Sequence, residues 1–438
     1  MRARTLLSAA LLLILMVAGA AQQAAAPPVL IKAGRLLDVR AGAYRASQGI
    51  WIEAGRIRQV GAFDEVRAAA PANIAVLDLG GAAVLPGLID AHAHLLAAMD
   101  PASPPGDNLI LTLTKDSPAR RALRGAAMAR EIVEGGFTTV RNVGHSGVDG
   151  DVALRDAIRS GYLPGPRIVA AARKVAPFGG QVLPAQSSVV QSLIDLDFLT
   201  ASTPAEGRRA VQENVRVGAD VIKVVADDNG RAIDDETMRA IADEAHKAGR
   251  RVAVHATSKA GVQAAVAAGV DSIEHGDEAT DEQFLAMRGR GIAFDPTIWP
   301  REILPIPRTM ASLPNLDALA AAWVDGERAK LERARRAGVK IVFGSDMWFA
   351  YPERTRGQTT RFVLEALQVS FGMPPADVLR SATVHAAELL AAPGVTGAIE
   401  ANAFGDLIAV DGDPLQDIRA LESVRFVMKG GTVIKGLP

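Results

Sequence analysis

Short apolar strands alternate with helical stretches between about residues 85 and 393, and this alternation constrains the fold more than any other feature of the chain. Strands separated by helices are the signature of βαβ units and a parallel sheet. Eight strand segments can be read, at residues 84–89, 138–142, 167–171, 221–225, 252–255, 272–275, 292–295 and 340–345. Eight units favour a closed (β/α)8 TIM barrel, and an open doubly wound sheet is the alternative, because strand count alone does not prove closure.

The two ends of the chain have a different pattern, with short strands joined by tight turns. One such turn lies at Ala54 and Gly55, and a second lies at Gly430 and Gly431. We expect the two ends to pair into one small sheet domain. The predicted domains are residues 21–84 and 394–438 for this sheet domain, and residues 85–393 for the barrel.

The first 20 residues predict an export signal. Basic Arg2 and Arg4 precede an apolar run at residues 6–17, and small residues follow at 18–20. The run is shorter than the roughly 20 residues of a membrane span, so a cleaved signal peptide is favoured over an uncleaved anchor. We therefore expect a periplasmic or secreted protein that leaves the membrane after signal cleavage.

Composition excludes several kinds of partner and site. The chain has 48 basic and 49 acidic residues, so its net charge of -1 favours neither nucleic acid nor an anionic membrane as a partner. A small-molecule substrate is expected. The chain has no cysteine, which excludes disulfides, a thiolate nucleophile and cysteine metal ligands. Any metal must bind His, Asp, Glu or Lys.

Histidines and one aspartate are placed at the ends of the predicted strands. Two of the seven histidines, His92 and His94, are two residues apart, so an extended segment presents both imidazoles on one side and they can chelate one ion. His255, His275 and Asp346 end or follow later strands. Strand ends converge on the active-site face of such a barrel, and imidazole and carboxylate are suitable zinc ligands when no thiolate is present.

Lys223 lies inside an apolar run at residues 221–225 that predicts a buried strand. An unpaired ammonium there is costly to bury, and a protonated amine cannot bind a metal. Addition of carbon dioxide to the amine gives a carbamate whose two oxygens can bridge two cations. The alternative is an ordinary lysine that pairs with a carboxylate or reaches solvent at the strand end.

These motifs together resemble the amidohydrolase superfamily, and within it the imidazolonepropionase-like and Xaa-Pro or Xaa-Arg dipeptidase branch, related to ochratoxin-hydrolysing amidases. The resemblance covers nearly the whole mature chain. It rests on the segments at residues 87–94, 136–141, 222–223, 273–276, 343–346, 382–389 and 406–414. It implies that the terminal sheet domain is a β-sandwich and that the protein is a homo-oligomer.

The resemblance also implies a binuclear site with two divalent ions, most simply zinc. One ion is bound by the first pair of histidines, His92 and His94, together with Asp346. The other is bound by His255 and His275. N6-carboxylated Lys223 bridges the two ions.

Such a pair of ions predicts hydrolysis of an amide bond by a metal-bridging hydroxide. Asp346 is then the expected catalytic base, which passes its proton to the leaving nitrogen, although it can also serve only as a ligand. His145 follows the second strand and is predicted to bind a substrate carboxylate or carbonyl oxygen, with a loop histidine of no function as the alternative. The expected substrates are N-acyl amino acids, dipeptides or aryl amides such as ochratoxin.

Several weaker candidates and two competing functions are left open. Arg141 is expected either to form a buried pair near the pocket or to be an ordinary strand-end arginine. Four aromatic residues, Trp299, Trp348, Phe349 and Tyr351, either line an apolar pocket or anchor loops. A deaminase or a lactonase or cyclic amide hydrolase on the same barrel is the alternative enzyme, and a non-catalytic scaffold is a third reading.

Overall fold

The computed structural model describes residues 26–98, 105–182, 186–228, 230–303, 314–349, 351 and 353–436. The predicted signal peptide lies outside these residues. None of the helices in the described ranges is both long and apolar enough to cross a membrane.

Strands from both ends of the chain form one eight-stranded sheet. The order of seven of them is Thr432–Lys435, Val424–Lys429, Leu407–Val410, Ala83–Pro86, Val29–Asp38, Ala43–Glu53 and Arg56–Ala62, and Ala75–Asp78 pairs with Val29–Asp38. Leu407–Val410 runs antiparallel to Ala83–Pro86, so a C-terminal strand lies beside an N-terminal one. The ends of the chain therefore pair with each other as the turn pattern predicts.

The middle of the chain forms parallel sheets. Leu88–Ala93, Phe137–Asn142 and Arg167–Ala170 make a three-stranded sheet, and a six-stranded sheet has the order Phe198–Thr200, Lys174–Ala176, Val221–Val225, Arg251–Ala256, Ser272–His275 and Ala293–Asp295. Asp227–Asp228 and Arg231–Ala232 form a small hairpin. The fold is α/β with parallel sheets.

Two predicted strands differ from the observed ones. The apolar run at residues 84–89 is two strands, because the first part, Ala83–Pro86, joins the terminal sheet and the second part, Leu88–Ala93, begins the parallel strands. The predicted strand at 340–345 has one isolated bridge at Ile341. Backbone hydrogen bonds of 2.8 Å from Ala91 N to Phe343 O and from Asp346 N to His92 O place this segment beside the first parallel strand.

Helices follow most of the parallel strands and pack against them. They are Phe63–Ala69, Pro105–Lys115, Pro118–Glu134, Gly150–Arg159, Ser187–Asp197, Pro204–Val217, Asp235–Lys247, Lys259–Ala268, Asp281–Arg290, Leu316–Ala337, Arg356–Val369, Pro375–Ser381 and Val384–Leu390, with a 3-10 helix at Ile418–Ser423. Several of them start at a capping side chain, as where Thr280 and Gln283 form a capping box. A glycine in the left-handed conformation, such as Gly338 at φ +76°, ends several of them.

Two hydrophobic cores hold these layers. The larger core lies between the parallel strands and their helices, and it includes Phe137, Phe294 and Phe343. A separate core covers one face of the terminal sheet, with Ile50 and Phe426 among its members. The second core thus joins residues from both ends of the chain.

Candidate active site

Five of the predicted metal ligands meet where the parallel strands end. Oδ1 of Asp346 lies 3.0 Å from His94 Nε2 and 3.4 Å from His92 Nε2, and its Oδ2 lies 3.9 Å from His275 Nδ1. The ring of His255 is 4.4 Å from that of His275, measured between centroids. The structure therefore brings these four histidines and one aspartate into a single cluster.

The sixth predicted ligand, Lys223, lies in the buried strand Val221–Val225. Its side chain is buried, and its Nζ has no hydrogen-bond partner among the residues that the structure describes. Burial lowers the pKa of Lys223 to about 8. Its charge also helps burial to lower the pKa values of His92 and His255.

Backbone geometry at the strand ends turns some of these side chains toward the cluster. His275 and Asp346 have left-handed φ angles of 70° and 48°, and so does His145 at 57°. Non-glycine residues seldom adopt this conformation, and such residues concentrate at functional sites. In the strand Ser272–His275 it lets both Glu274 and His275 reach the same pocket, although neighbouring residues of a regular strand point to opposite faces.

Glu274 is a residue of this site to which the sequence reasoning gave no role. Its Oε2 lies 2.8 Å from His92 Nδ1, and its Oε1 accepts a hydrogen bond of 2.9 Å from Arg141 Nη2. Although burial raises the pKa of this carboxyl, the charges of Arg141 and Lys223 lower it overall. Glu274 is thus an ionised carboxylate that holds His92 by its Nδ1–H. In the sequence, only the family motif at residues 273–276 indicates a role for Glu274.

The orientation of His92 leaves two acceptor atoms facing each other. Burial and nearby positive charges lower the pKa of His92 well below its ordinary value, so the imidazole is neutral. Its one N–H is directed to Glu274, which makes Nε2 a lone-pair acceptor, and Nε2 faces the carboxylate oxygen of Asp346 at 3.4 Å. Two acceptors so close repel each other unless a proton or a metal ion lies between them, and the donor set fits a divalent ion.

The distances between ligand atoms in the cluster also support a metal site. The ligand atoms of His92, His275 and Asp346 lie within 4.8 Å of one another. A second group with the same property combines His92 with Glu274 and Asp295. Asp295 is buried, and burial together with the charge of Glu274 raises its pKa well above the ordinary range. It is therefore a protonated neighbour of the cluster.

His145 lies beside the cluster, with its ring 4.8 Å from that of His94. Its Nδ1 is 3.2 Å from Asp197 Oδ2, and its Nε2 is 3.1 Å from Lys174 Nζ. Arg121 completes this buried chain with a 2.9 Å ion pair to Asp197. The sequence reasoning missed Lys174, Asp197 and Arg121, because they come from separate segments with no shared local pattern.

The two remaining histidines lie outside the cluster, whereas Arg141 contacts it through Glu274. His246 is on a helix surface, 2.8 Å from Asp271, and His385 Nδ1 lies 3.0 Å from the carbonyl of Ile341. Arg141 forms a buried ion pair with Glu274, the first of the two roles expected for it.

The aromatic residues after the seventh and eighth strands split into two groups. Phe349 is fully buried and packs between Trp299 and Trp348, at centroid distances of 5.5 and 4.9 Å. Tyr351 instead packs on Phe362. Phe349 is thus a loop anchor, whereas the half-buried Trp299 and Trp348 are accessible in part.

A family model and known relatives match most of this chain. The model of the Amidohydrolase family matches residues 83–436. Ochratoxinase from Aspergillus niger is 28% identical over 384 residues, which cover 81% of this chain and 76% of the ochratoxinase.

Two solved structures are similar to this chain over nearly its whole length. A Xaa-Pro dipeptidase with methionine bound in its active site has a TM-score of 0.78 and 30% identity, with 93% of this chain and 100% of that chain covered. The A. niger ochratoxinase structure has a TM-score of 0.79 and 25% identity, with 94% and 96% covered.

Proposed function

Since the chain belongs to the amidohydrolase family and is a hydrolase acting on carbon–nitrogen bonds, we propose that it is a binuclear metal-dependent amide hydrolase. Its substrates would be N-acyl amino acids, dipeptides or aryl amides such as ochratoxin. The proposal draws on the relatives, which include an ochratoxinase and a Xaa-Pro dipeptidase.

The observation that carries the metal dependence is the pair of facing acceptors, His92 Nε2 and Asp346 Oδ1, 3.4 Å apart. In this proposal His92, His94 and Asp346 would hold one divalent ion, and His255 and His275 would hold the other. Zinc is the ion proposed, because imidazole and carboxylate ligands without thiolate suit it.

Lys223 would bridge the two ions as its N6-carbamate. Two observations support this modification. The amine is buried without a hydrogen-bond partner among the described residues, and the lowered pKa of about 8 increases the fraction of neutral amine that can react with carbon dioxide. Carboxylation would also replace an unpaired buried cation with an anion suited to the cluster.

The residues of the cluster would divide the chemical work. Bound ions of this kind activate water and polarise a substrate carbonyl. Asp346 would accept the proton of the attacking water and deliver it to the leaving nitrogen. Its position suits this, because its carboxylate is partly exposed, with a side-chain exposure of 17%, while the imidazoles around it are more deeply buried. Glu274 and Arg141 would keep His92 in the tautomer that offers Nε2.

The proposal extends to the whole protein. We propose that the parallel strands form a closed (β/α)8 barrel and that the terminal sheet belongs to a β-sandwich domain. We also propose export by the N-terminal signal to the periplasm or the medium, and assembly as a homo-oligomer.

The experiment that tests the function combines metal analysis with hydrolysis. Purified mature protein is assayed by elemental mass spectrometry and against a panel of N-acyl amino acids, Xaa-Pro dipeptides and ochratoxin. About two metal equivalents with chelator-sensitive cleavage is the expected result. One equivalent or none, with no amide cleavage by the metal-supplemented protein, would contradict it in favour of a deaminase or a scaffold.

A further inference from the structure

A buried lysine lies next to the candidate active site and has no part in the proposed metal chemistry. Lys174 begins the strand Lys174–Ala176, and only 2% of its surface is exposed. Its Nζ donates to Gln181 Oε1 and lies 3.1 Å from His145 Nε2. The ring of Phe198 is 4.6 Å from Nζ, a contact that favours the charged amine.

The hydrogen bonds of His145 decide which of the two residues can donate to a substrate. Asp197 is ionised, because Arg121 and His145 lower its pKa despite burial. It accepts the Nδ1–H of His145, and the other ring nitrogen, Nε2, faces the Lys174 ammonium, so the ring holds its one proton on Nδ1. Nε2 is then a lone pair, which accepts from Lys174. His145 has no N–H left for a substrate oxygen.

Lys174 does have a donor left. An ammonium carries three N–H groups, and the described residues take two of them. Both acceptors, on His145 and Gln181, are uncharged, so the cation depends on more distant carboxylates for a counter-charge. Burial lowers the pKa of Lys174 to about 7, and an anion bound at Nζ would favour the ammonium form.

The backbone at Gly144 fixes Lys174 beside a predicted metal ligand. The carbonyl of Gly144 lies 3.1 Å from His94 Nδ1. On its other side, the Cα of Gly144 lies against the stem of Lys174, where an added Cβ would be 2.6 Å from Cγ. The same residue therefore positions a candidate ligand and the lysine.

We propose that Lys174 is a specificity-determining residue that binds the free carboxylate of the substrate next to the scissile amide, with His145 as its positioning residue. This inference rests on the proposed function. A substrate carboxylate supplies a third acceptor and a closer counter-charge for the ammonium, and charge-assisted hydrogen bonds are stronger than neutral ones. The inference moves the substrate contact expected for His145 to its neighbour.

The first test measures binding without hydrolysis. Phenylacetate and phenethyl alcohol contain no carbon–nitrogen bond, so calorimetric titration of each into the purified protein reports recognition alone. The wild type should prefer phenylacetate, and Lys174→Met should lose at least about 10-fold of that preference. Lys247→Met is the matched control, because Lys247 is 79% exposed on a helix and should leave the preference unchanged.

The second test uses turnover of an N-acyl amino acid and its methyl ester. Lys174→Met should raise KM for the free acid by about 10-fold or more with little change in kcat, and should leave the ester unaffected. If Lys174→Met does not fold, Gln181→Leu is measured in its place. This variant removes only the acceptor that aligns Lys174, and it should give a smaller change in the same direction.

The outcomes separate this inference from the proposed function. Carboxylate preference lost in Lys174→Met supports the subsite even if no amide is cleaved, and in that case only the proposed function fails. Equal binding of the two probes by the wild type would overturn the inference. A preference for phenylacetate that survives in both Lys174→Met and Gln181→Leu would overturn it as well. An equal loss on acid and ester would also overturn it.

Discussion

Asp346 is the residue on which three imidazoles converge, and each of its two carboxylate oxygens faces at least one of them. His92 and His94 approach one oxygen, at 3.4 and 3.0 Å, and His275 approaches the other at 3.9 Å. The same side chain is partly open to the pocket, at 17% exposure. A residue so placed can serve as ligand and as proton carrier, and substitution separates the two roles.

Asp346→Asn keeps the shape and one oxygen of the side chain but removes its basicity. We expect kcat to fall by about 10² to 10⁴ while at least one metal equivalent remains, because a proton carrier has been lost. Steady-state kinetics and elemental analysis of the same sample check this. A loss of activity that only follows a loss of metal would show that Asp346 is a ligand alone. Asp325→Asn, at an exposed carboxylate, is the control.

Lys223→Ala tests the bridging carbamate. The variant should lose more than half of its bound metal, because both ions share this ligand in the proposal. Its kcat/KM should be at least about 10² lower than that of the wild type. Added propionate, which can enter the space of the missing carbamate, should restore part of the activity. Undiminished metal content would contradict the bridging role. Lys247→Ala should behave as wild type, since that amine is 79% exposed.

At the scale of the element, the site depends on irregular strand ends. The left-handed φ angles of His145, His275 and Asp346 occur where strands pass into loops. Each such residue costs on the order of 1–3 kcal/mol, which the surrounding packing must offset. The neighbouring segment at Gly144, with φ of 116°, is also tightly packed, because the lysine stem lies directly on it.

Gly144→Ala should therefore lower the free energy of unfolding more than an alanine at an open left-handed glycine does. Gly249 is the matched position, with φ of 68° and nothing within 4 Å of an added Cβ. We expect Gly249→Ala to cost about 1 kcal/mol and Gly144→Ala at least about 1 kcal/mol more, by urea unfolding. Equal losses at the two positions would contradict the close packing of Lys174 on this loop.

A second contact between elements involves Glu365 in the helix Arg356–Val369 and Glu422 in the 3-10 helix Ile418–Ser423. Burial and the neighbouring Glu422 raise the pKa of Glu365 to about 8. A carboxyl with a raised pKa in the folded state stabilises the protein below its unfolded pKa of about 4.5, and this contribution is lost as the pH rises through 8. The contact should therefore weaken in alkaline solution.

Glu365→Gln removes that titration while keeping the shape of the side chain. The stability of the variant relative to wild type should increase between pH 5 and pH 8, because over this range the folded wild type keeps a proton on Glu365 that its unfolded chain releases. Urea unfolding of both proteins at the two pH values measures this difference. A difference that is independent of pH, or one that shrinks toward pH 8, would contradict the assignment.

At the scale of the whole molecule, the candidate ligands come from distant parts of the chain. His92 and Asp346 belong to segments far apart in sequence, and hydrogen bonds such as that from Asp346 N to the carbonyl of His92 hold these segments together. A bound ion would tie these segments together in the folded state alone. Metal binding should therefore contribute to global stability as well as to catalysis.

Removal of metal by a chelator should lower the free energy of unfolding. The loss should be about 3 kcal/mol when the ion is present at roughly 100 times its Kd, and added Zn²⁺ should restore it. Thermal unfolding of the dialysed and resupplied protein gives the measurement. His92→Asn should respond little to either treatment. A wild type that is equally stable in both states would argue against ions at this cluster.

Regular features of the fold could be predicted from sequence, and the network around the site could not. Strands such as Val221–Val225 carry their apolar pattern locally, and the family resemblance is confirmed by the match over residues 83–436. The run at 84–89 was wrongly read as one strand, because the apolar pattern continues across the change of sheet. Lys174 had no local signal at all, because burial and partners from three other segments define its role.

The pairing of the two chain ends has a consequence for the order of events during synthesis. Ala83–Pro86 lies between Val29–Asp38 and Leu407–Val410, and it leads directly into the strand that carries His92. Its second neighbour leaves the ribosome only after almost the whole chain has been made. Contacts of such long sequence separation form late and slowly. The sheet that precedes the strand of the first candidate ligands is thus completed only after all of these ligands, through Asp346, have been synthesised.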